Sequence, residues 1–327
     1  MLPCRRDDIA GISSDVFARA MDCERQERFA RAVALCVRDF VRDQGRAPRV
    51  LVLGSEAGDL CEAAIQAGAE FVVGVESNVD LRTSTESALR ASGHTTFELR
   101  ANMDDVAQDF DVGVCNLSDA VYLAPLHIAQ YVRRFDARAY VVPQRVEQFV
   151  RDVTFEGLTL DASAMRRGCF DTAIPKAYGT TPQLFSTSEI PIHLHDFPHT
   201  STLPRLRLYA WEADPPSQAC EGGCDVKTAG GVTLDSVYVS NETFLVFEWI
   251  SQLWDGVALE NTLESIASLP SRECVYRVHG CGVAMARLNR RSWSSSMRLE
   301  WTYSSRGMGI SVVRNKENKK ATPKTKR

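Results

Sequence analysis

The stretch Arg49-Val50-Leu51-Val52-Leu53-Gly54-Ser55-Glu56-Ala57-Gly58-Asp59-Leu60, closed by Phe71-Val72-Val73-Gly74-Val75-Glu76, decides the reading of this chain. Val50 to Leu53 is a short apolar run of the kind that forms a buried strand. Gly54 and Gly58 frame a tight turn. Ala63, Ala64, Ile65 and Ala67 carry a helix that ends at Gly68, and Val72 to Val75 is a second strand. Glu76 stands at the carboxyl end of that strand, where an acid accepts both hydroxyls of a ribose. Strand, glycine turn, helix, strand and acid make a nucleotide-binding βαβ half.

The turn departs from the glycine-rich pattern at its middle. Such loops work because glycine lacks a Cβ and lets a ligand lie against the backbone. Here Glu56 brings bulk and negative charge to the point of closest approach. Against a ligand carboxylate at ~4 Å, the repulsion reaches roughly 4 kcal/mol at an effective dielectric of 20. A βαβ unit that holds no ligand is therefore a competing reading of the same residues.

Outward from this core, residues 14–43 read as a helix, with Phe17, Met21, Phe29, Val33 and Val37 near a period of 3.6. Downstream, Leu81–Ala91 is a helix ended by Gly93, and Thr95–Leu99 is a strand. Asp111–Cys115 is the next strand, and Asn116 begins the loop after it. Leu123–Phe135 reads as a helix with Pro125 in its first turns. Ala139–Val142 is a further strand, stopped by Pro143. Alternating strands and helices over 1–143 predict a doubly wound parallel sheet.

The pattern changes at Pro143. Short alternating stretches follow, at Phe149–Phe155, Glu189–His195, Leu206–Trp211, Phe244–Trp249, Val275–Val278 and Met297–Tyr303. They predict an antiparallel barrel or sandwich. Within it, 155–183 is irregular and too long for an ordinary hairpin loop; it carries Met165, Arg166, Arg167 and Phe170.

Composition narrows the class. The chain has 327 residues, 44% of them apolar, which is enough for two domains with real cores. It contains no apolar run of 18 residues, so no membrane span is expected. The first residues, Met1 to Asp8, lack the apolar core of a signal peptide, and a cytoplasmic protein is expected. Ten cysteines form no framework and read as reduced structural thiols; the nearest pair, Cys220 and Cys224, has three residues between them rather than the usual two of zinc and redox motifs. Residues 315–327 hold six Lys/Arg against one acid, a charge of +5, which leaves −9 on the body of a chain whose net charge is −4. Such a tail reads as a disordered, solvated end that can also touch nucleic acid. His193, His195 and His199 lack an accompanying set of Cys or carboxylate ligands, so no metal is expected. Trp249, Trp254, Trp293 and Trp301 read as barrel packing.

The sheet half ends in Val142-Pro143-Gln144-Arg145, and a helix carrying Asp22, Arg25, Phe29 and Ala32 precedes it. With the Val50–Gly58 loop, Ala67-Gly68-Ala69 and Val73-Gly74-Val75-Glu76, these residues resemble the protein arginine N-methyltransferases over most of 15–313. The resemblance implies an α/β plus β fold. A Rossmann-like class I methyltransferase domain would cover 1–143, and an antiparallel β-barrel would cover 144–314. A dimerisation arm would be inserted at about 155–183, with Met165, Arg166, Arg167 and Phe170 at its interface. It also implies cofactor roles: the loop of Gly54, Glu56 and Gly58 for S-adenosylmethionine, Glu76 for its ribose, Arg25 for its carboxylate and Asp104 for its adenine amine.

The departures from the family fall on the chemistry. The resemblance implies two glutamates, nine positions apart, that grip the substrate guanidinium; a planar five-donor cation needs paired carboxylates. Those positions here are Asn116 and Pro125. Asp119 is a lone acid nearby. The family's Thr-His-Trp tripeptide is absent, and the resemblance implies Leu259-Glu260-Asn261 at its position. The N-terminal tyrosine motif is also missing from Arg6–Ile12. A retained fold with lost chemistry is similar to the dead prozyme branch of the family in trypanosomatid parasites.

That likeness implies a non-catalytic regulatory subunit. It would stabilise and activate a catalytic arginine methyltransferase paralogue in a hetero-oligomer, a heterotetramer in that branch, and reach arginine-rich protein substrates through the complex. No bound cofactor is then expected, and S-adenosylmethionine binding would be weak or lost. Two alternatives stay open: a divergent active S-adenosylmethionine-dependent methyltransferase working through Asp119, and a nucleic-acid adaptor working through the tail.

Overall fold

In the computed structural model, the described residues are 23–55, 58–106, 109–116, 135–156, 184–186, 198–201, 205–212, 228–235, 243–263, 284–287, 296–304 and 307–314. Helix α1 (Cys23–Gln44) leads into β1 (Arg49–Leu53). Its inner face, Phe29, Ala32, Val33, Cys36, Val37 and Phe40, recurs at steps of three and four and is buried. It stops at Gly45, whose φ of 67° suits glycine and whose N–H returns to the Val41 carbonyl at 2.9 Å. The predicted start of this helix, 14–22, lies outside the described residues.

Then come α2 (Asp59–Gln66), β2 (Phe71–Val75), α3 (Val79–Ala91), β3 (Phe97–Arg100), a short 3₁₀ turn (Met103–Asp105), β4 (Phe110–Cys115) and β5 (Phe135–Val142). The five strands form one parallel sheet in the order β3-β2-β1-β4-β5. This is the doubly wound core that the alternating pattern predicted. Two bonds seat α3, since the Asn78 side chain accepts from the backbone N–H groups of Asp80 (2.9 Å) and Leu81 (3.0 Å). A Cβ added to Gly74 would lie 2.7 Å from Leu99 Cδ2 and 3.0 Å from Cys61 Sγ, so this glycine lets α2 and β3 pack close to β2. β5 begins at Phe135, which pairs with Phe110 across a register shift. The sequence expects a helix through 135, but Phe135 belongs to β5, because pairing with β4 recruits that residue into the sheet. Residues 123–134, Pro125 included, lie outside the described residues.

Beyond Val142 the strands turn antiparallel. β6 (Arg145–Phe155), β7 (Leu184–Ser186), β8 (His199–Thr200), β9 (Leu206–Glu212), β10 (Thr228–Asp235), β11 (Thr243–Trp254), β12 (Val257–Asn261), β13 (Ala284–Arg287), β14 (Ser296–Ser304) and β15 (Gly307–Arg314) follow in order. β6 and β11 pair over ten positions at the centre of a seven-stranded sheet, which also takes β7, β8, β9, β12 and β13. β10, β14 and β15 form a second sheet of three strands. The curled larger sheet fits the expected barrel, although among the described residues the strands form two sheets. The arm segment with Met165, Arg166, Arg167 and Phe170 lies outside the described residues, as does the tail.

A buried acid braces the larger sheet. Glu248 Oε1 accepts from Arg151 Nη2 at 2.8 Å and from the Leu263 N–H at 2.8 Å, while Arg205 Nε lies 3.1 Å from Oε2. Two guanidinium groups and a backbone donor thus hold a carboxylate taken fully out of water. Arg205 also lies over the Phe149 ring, 4.1 Å from its centroid.

α1 touches both halves. On the sheet side, Phe40 meets Tyr140 edge to face, with 5.3 Å between ring centroids, and Tyr140 donates to Asp43 Oδ2 at 3.0 Å. On the barrel side, Trp254 donates its Nε1–H to Asp39 Oδ2 at 2.8 Å and packs on Tyr140 at 5.3 Å. Trp254 therefore joins the halves rather than filling a barrel interior, whereas Trp249 is buried in the core. Among the described residues, no helix is long and apolar enough to cross a membrane.

Candidate functional site

Three adjacent strands, β2, β1 and β4, deliver the candidate residues to one edge of the parallel sheet. The chain runs from central β1 to β2 and β3 on one side, then to β4 and β5 on the other. Ligands of doubly wound sheets bind at the carboxyl edge where the strand order reverses. Gly54 and Ser55 follow β1, Glu76 follows β2 and Asn116 follows β4.

The turn after β1 is compact. The N–H groups of Gly54 and Ser55 both donate to the Val75 carbonyl, at 3.1 and 3.3 Å, and the Gly58 N–H donates to the Ser55 carbonyl at 2.7 Å. Gly54 has φ 73° and Gly58 φ 90°, both in the left-handed region that favours glycine. A Cβ on Gly58 would stand 2.6 Å from Thr85 Cγ2. Close approach at Gly58 is thus explained by α3 behind it, with no ligand required. Glu56 itself lies outside the described residues.

Glu76 is buried and fixed. Its Oε1 accepts from the Asn78 N–H at 2.8 Å, its own N–H donates to the Arg100 carbonyl at 2.9 Å, and its carbonyl accepts from Arg82 Nη1 at 2.8 Å. The position after β2 suits a ribose: the carboxylate would accept sugar hydroxyls, as it does at the same place in dinucleotide folds. Asp104 lies in the 3₁₀ turn after β3, at the same end of the sheet.

Arg25 and Asn116, singled out for separate roles, meet. Arg25 is 0% exposed in the first turn of α1. It donates Nε and Nη2 to Asn116 Oδ1 at 3.0 and 2.6 Å, and Nη2 also approaches the Asn116 carbonyl at 3.4 Å. Its guanidinium carbon lies 5.1 Å from the Phe29 ring centroid. Asn116 is 1% exposed, and its N–H donates to the Leu53 carbonyl at 2.9 Å. The end of β4 therefore presents a neutral amide whose acceptor oxygen already serves a cation of the same chain. Asn116 Nδ2 and Ser55 Oγ are buried without a hydrogen-bond partner.

Other expected sites resolve differently. Leu259, Glu260 and Asn261 lie in β12, the return strand of a hairpin with β11. Asp255 (φ 42°) and Gly256 (φ 74°) make its turn. That Asp-Gly pair is a strong hairpin signal in the sequence, and it was missed. Between this turn and the start of α1 lies a polar cleft of about 520 Å³, lined by Glu24, Glu27, Arg31 and Asp255 among others. Arg28 crosses it to donate to the Ala258 carbonyl at 2.7 Å. His199 packs on Phe155 with 5.7 Å between ring centroids. Among the described residues, no group of three His, Cys, Asp or Glu side chains could hold a metal ion. Pro125, Asp119 and the pair Cys220 and Cys224 lie outside the described residues.

No protein-family model and no curated protein sequence matches the chain. Solved structures do. A chain of the Trypanosoma brucei PRMT1 enzyme-prozyme heterotetrameric complex with AdoHcy matches at TM-score 0.54 and 14% identity, over 90% of this chain and 91% of that one. Arabidopsis thaliana protein arginine methyltransferase 10, in an open conformation, matches at TM-score 0.54 and 12% identity, over 90% of each chain. At such identities the likeness concerns architecture, and it spans both the parallel sheet and the antiparallel half. The chain has the fold of the protein arginine methyltransferases.

Proposed function

We propose that this chain is a non-catalytic subunit that regulates an active arginine methyltransferase as part of a hetero-oligomer. The observation that carries the reading is Asn116. Gripping a guanidinium for methyl transfer needs carboxylates, whose charge both binds the cation and orients one nitrogen. The residue at the end of β4 is a neutral amide, and its oxygen is taken by Arg25. The enzyme–prozyme neighbour supports the partner side of the proposal: this architecture occurs in an assembly of an active and a prozyme chain. The segment with Met165, Arg166, Arg167 and Phe170 is the proposed docking arm. S-adenosylmethionine is proposed to bind weakly, because Glu56 sits in the loop where its carboxylate end would pass.

The test is methyl transfer to an arginine-rich peptide by this chain alone, by an active paralogue alone, and by the two co-expressed. Activity rising at least tenfold in the mixture, with none from this chain alone, is the expected result. Turnover by the isolated chain would overturn the proposal. A divergent methyltransferase is the second reading, favoured by the fixed, buried Glu76 at the ribose position. Tight S-adenosylmethionine binding by the isolated chain in equilibrium dialysis would support it.

A further inference from the structure

We propose that the outer face of the larger antiparallel sheet, around Phe149, docks an extended acidic segment of a partner protein, whose carboxylates are taken by Arg205 and Arg207. Alternation sets the face. On β6, Val146, Gln148 and Val150 are buried, as are Trp249, Ser251 and Leu253 on β11. Their neighbours Arg145, Glu147, Phe149 and Arg151 therefore stand on the opposite side of the sheet. Glu248 and Arg207 are the register partners of Phe149 on its two flanks and share that side. Arg205 reaches the same place, with its guanidinium carbon 4.1 Å from the Phe149 ring centroid.

Each acid here serves two arginines. Glu248 holds Arg151 at 2.8 Å and Arg205 at 3.1 Å, while Glu147 holds Arg145 at 3.0 Å and Arg207 at 3.2 Å. Four guanidinium groups against two carboxylates leave a surplus of two positive charges, on a chain whose net charge is −4. The surplus gathers at the Phe149 end, because Glu212 and Glu260 stand at register positions beside Arg145 and Ile250, towards the other end. The donors there are within reach of a ligand. Arg207 is 58% exposed and gives only Nη1 to Glu147. Arg205 is 29% exposed; its Nε and Nη2 are shut off from solvent, so Nη1 is the nitrogen it presents. The planar fork of arginine matches a carboxylate in shape as well as charge. Alternate residues of an extended chain repeat at about 6.8 Å, the same step that separates Phe149 from Arg151 along β6, so acids at every second position of the segment meet successive basic groups. Single-stranded nucleic acid would instead need an aromatic face for its bases, and the Phe149 ring already carries Arg205. This inference goes beyond the proposed regulatory role, since it assigns a surface of the antiparallel half apart from the candidate site.

The probe is a fluorescein-labelled peptide of alternating aspartate and glutamate, titrated with the full chain and read by fluorescence anisotropy. Saturable binding is expected. Arg207→Gln should weaken it about threefold, and so should Arg205→Lys, which keeps the charge and loses the fork. Arg38→Gln, at an exposed arginine of α1, should leave it unchanged. The basic tail competes for the same probe, so a chain with every Lys and Arg of 315–327 replaced by glutamine is titrated alongside, and it should keep the Arg207 effect. Absence of saturable binding, binding indifferent to both arginine variants, or binding lost with the tail charges alone overturns the proposal. An oligouridylate of equal charge that binds as tightly as the peptide overturns it too. Arg205 also braces Glu248; if Arg205→Lys fails to fold, Arg207→Gln, at an exposed side chain, decides the question by itself. None of these outcomes alters the methyl-transfer readout of the co-expression assay, so the two readings fail separately.

Discussion

Gly58 and Gly256 both hold positive φ, yet replacing them should have different consequences. Gly256 has open space where a Cβ would go, so Gly256→Ala strains the backbone alone and should destabilise by about 1 kcal/mol. Gly58→Ala adds a collision with Thr85 and should cost roughly 2–4 kcal/mol. Combining it with Thr85→Ser should recover the steric part, which a double-mutant cycle in urea would measure. The sequence marked Gly58 as a ligand contact; its actual neighbour is a threonine one helix further on, and no local pattern announces it. Arg25 and Asn116 were both legible as site positions, but their union spans 91 residues and exists only once α1 lies across β4. Asp111 offers a pH test. Burial pushes its carboxyl up, but the Arg46 guanidinium, at 2.8 and 2.5 Å, and the Arg49 N–H outweigh that and hold it below the usual carboxylate range. A folded-state value below the unfolded one stabilises above the unfolded pKa, near 3.9, and the benefit is lost as pH falls through the folded value. Asp111→Asn should therefore lower stability by about 1–2 kcal/mol at pH 7, given the exposure of Arg46, and its denaturation midpoint should converge on the parent's once pH has fallen through the folded-state value.

At the scale of elements, the parallel sheet was readable because its three central strands, β2, β1 and β4, are short, largely apolar runs followed by glycine, acid or asparagine. β1 and β4 are buried along nearly their whole length, and both were found from such runs. β10 was not found, since Gly230-Gly231 interrupts it and β14, paired along all eight of its positions, supplies the order. β12 was missed despite its Asp-Gly turn, because the same residues had been assigned to a motif of the resembling family. Phe135 shows the converse: helical spacing gave way to pairing with Phe110. The long central strands of the antiparallel half depend on a charge that no periodicity reveals. Glu248 sits in a strand of hydrophobic alternation, and its partners Arg151 and Arg205 come from elsewhere. Glu248→Ala would leave two guanidinium groups facing each other and should destabilise by about 3–5 kcal/mol. Glu248→Gln, which keeps the acceptor at Oε1, should be milder. Urea unfolding of the two variants checks the order.

For the molecule as a whole, α1 is where the halves meet. It closes over β4 and β5 through Phe40 and Tyr140, and it reaches the β11–β12 hairpin through Trp254 and Arg28. Arg25 stands on the same helix, so the candidate site and the barrel contact share one rigid rod. A chain built this way should melt once. Tryptophan fluorescence, which includes Trp254 beside Tyr140, and far-ultraviolet circular dichroism should report superimposable thermal transitions. Trp254→Phe, which deletes the bond to Asp39, should lower both midpoints together. Two separated transitions would show instead that the halves unfold independently. A single transition carries a further consequence for any molecule that grips the hairpin. Its binding energy would enter the same folded–unfolded equilibrium that holds Arg25 against Asn116, so occupancy of the hairpin would protect that distant contact against unfolding.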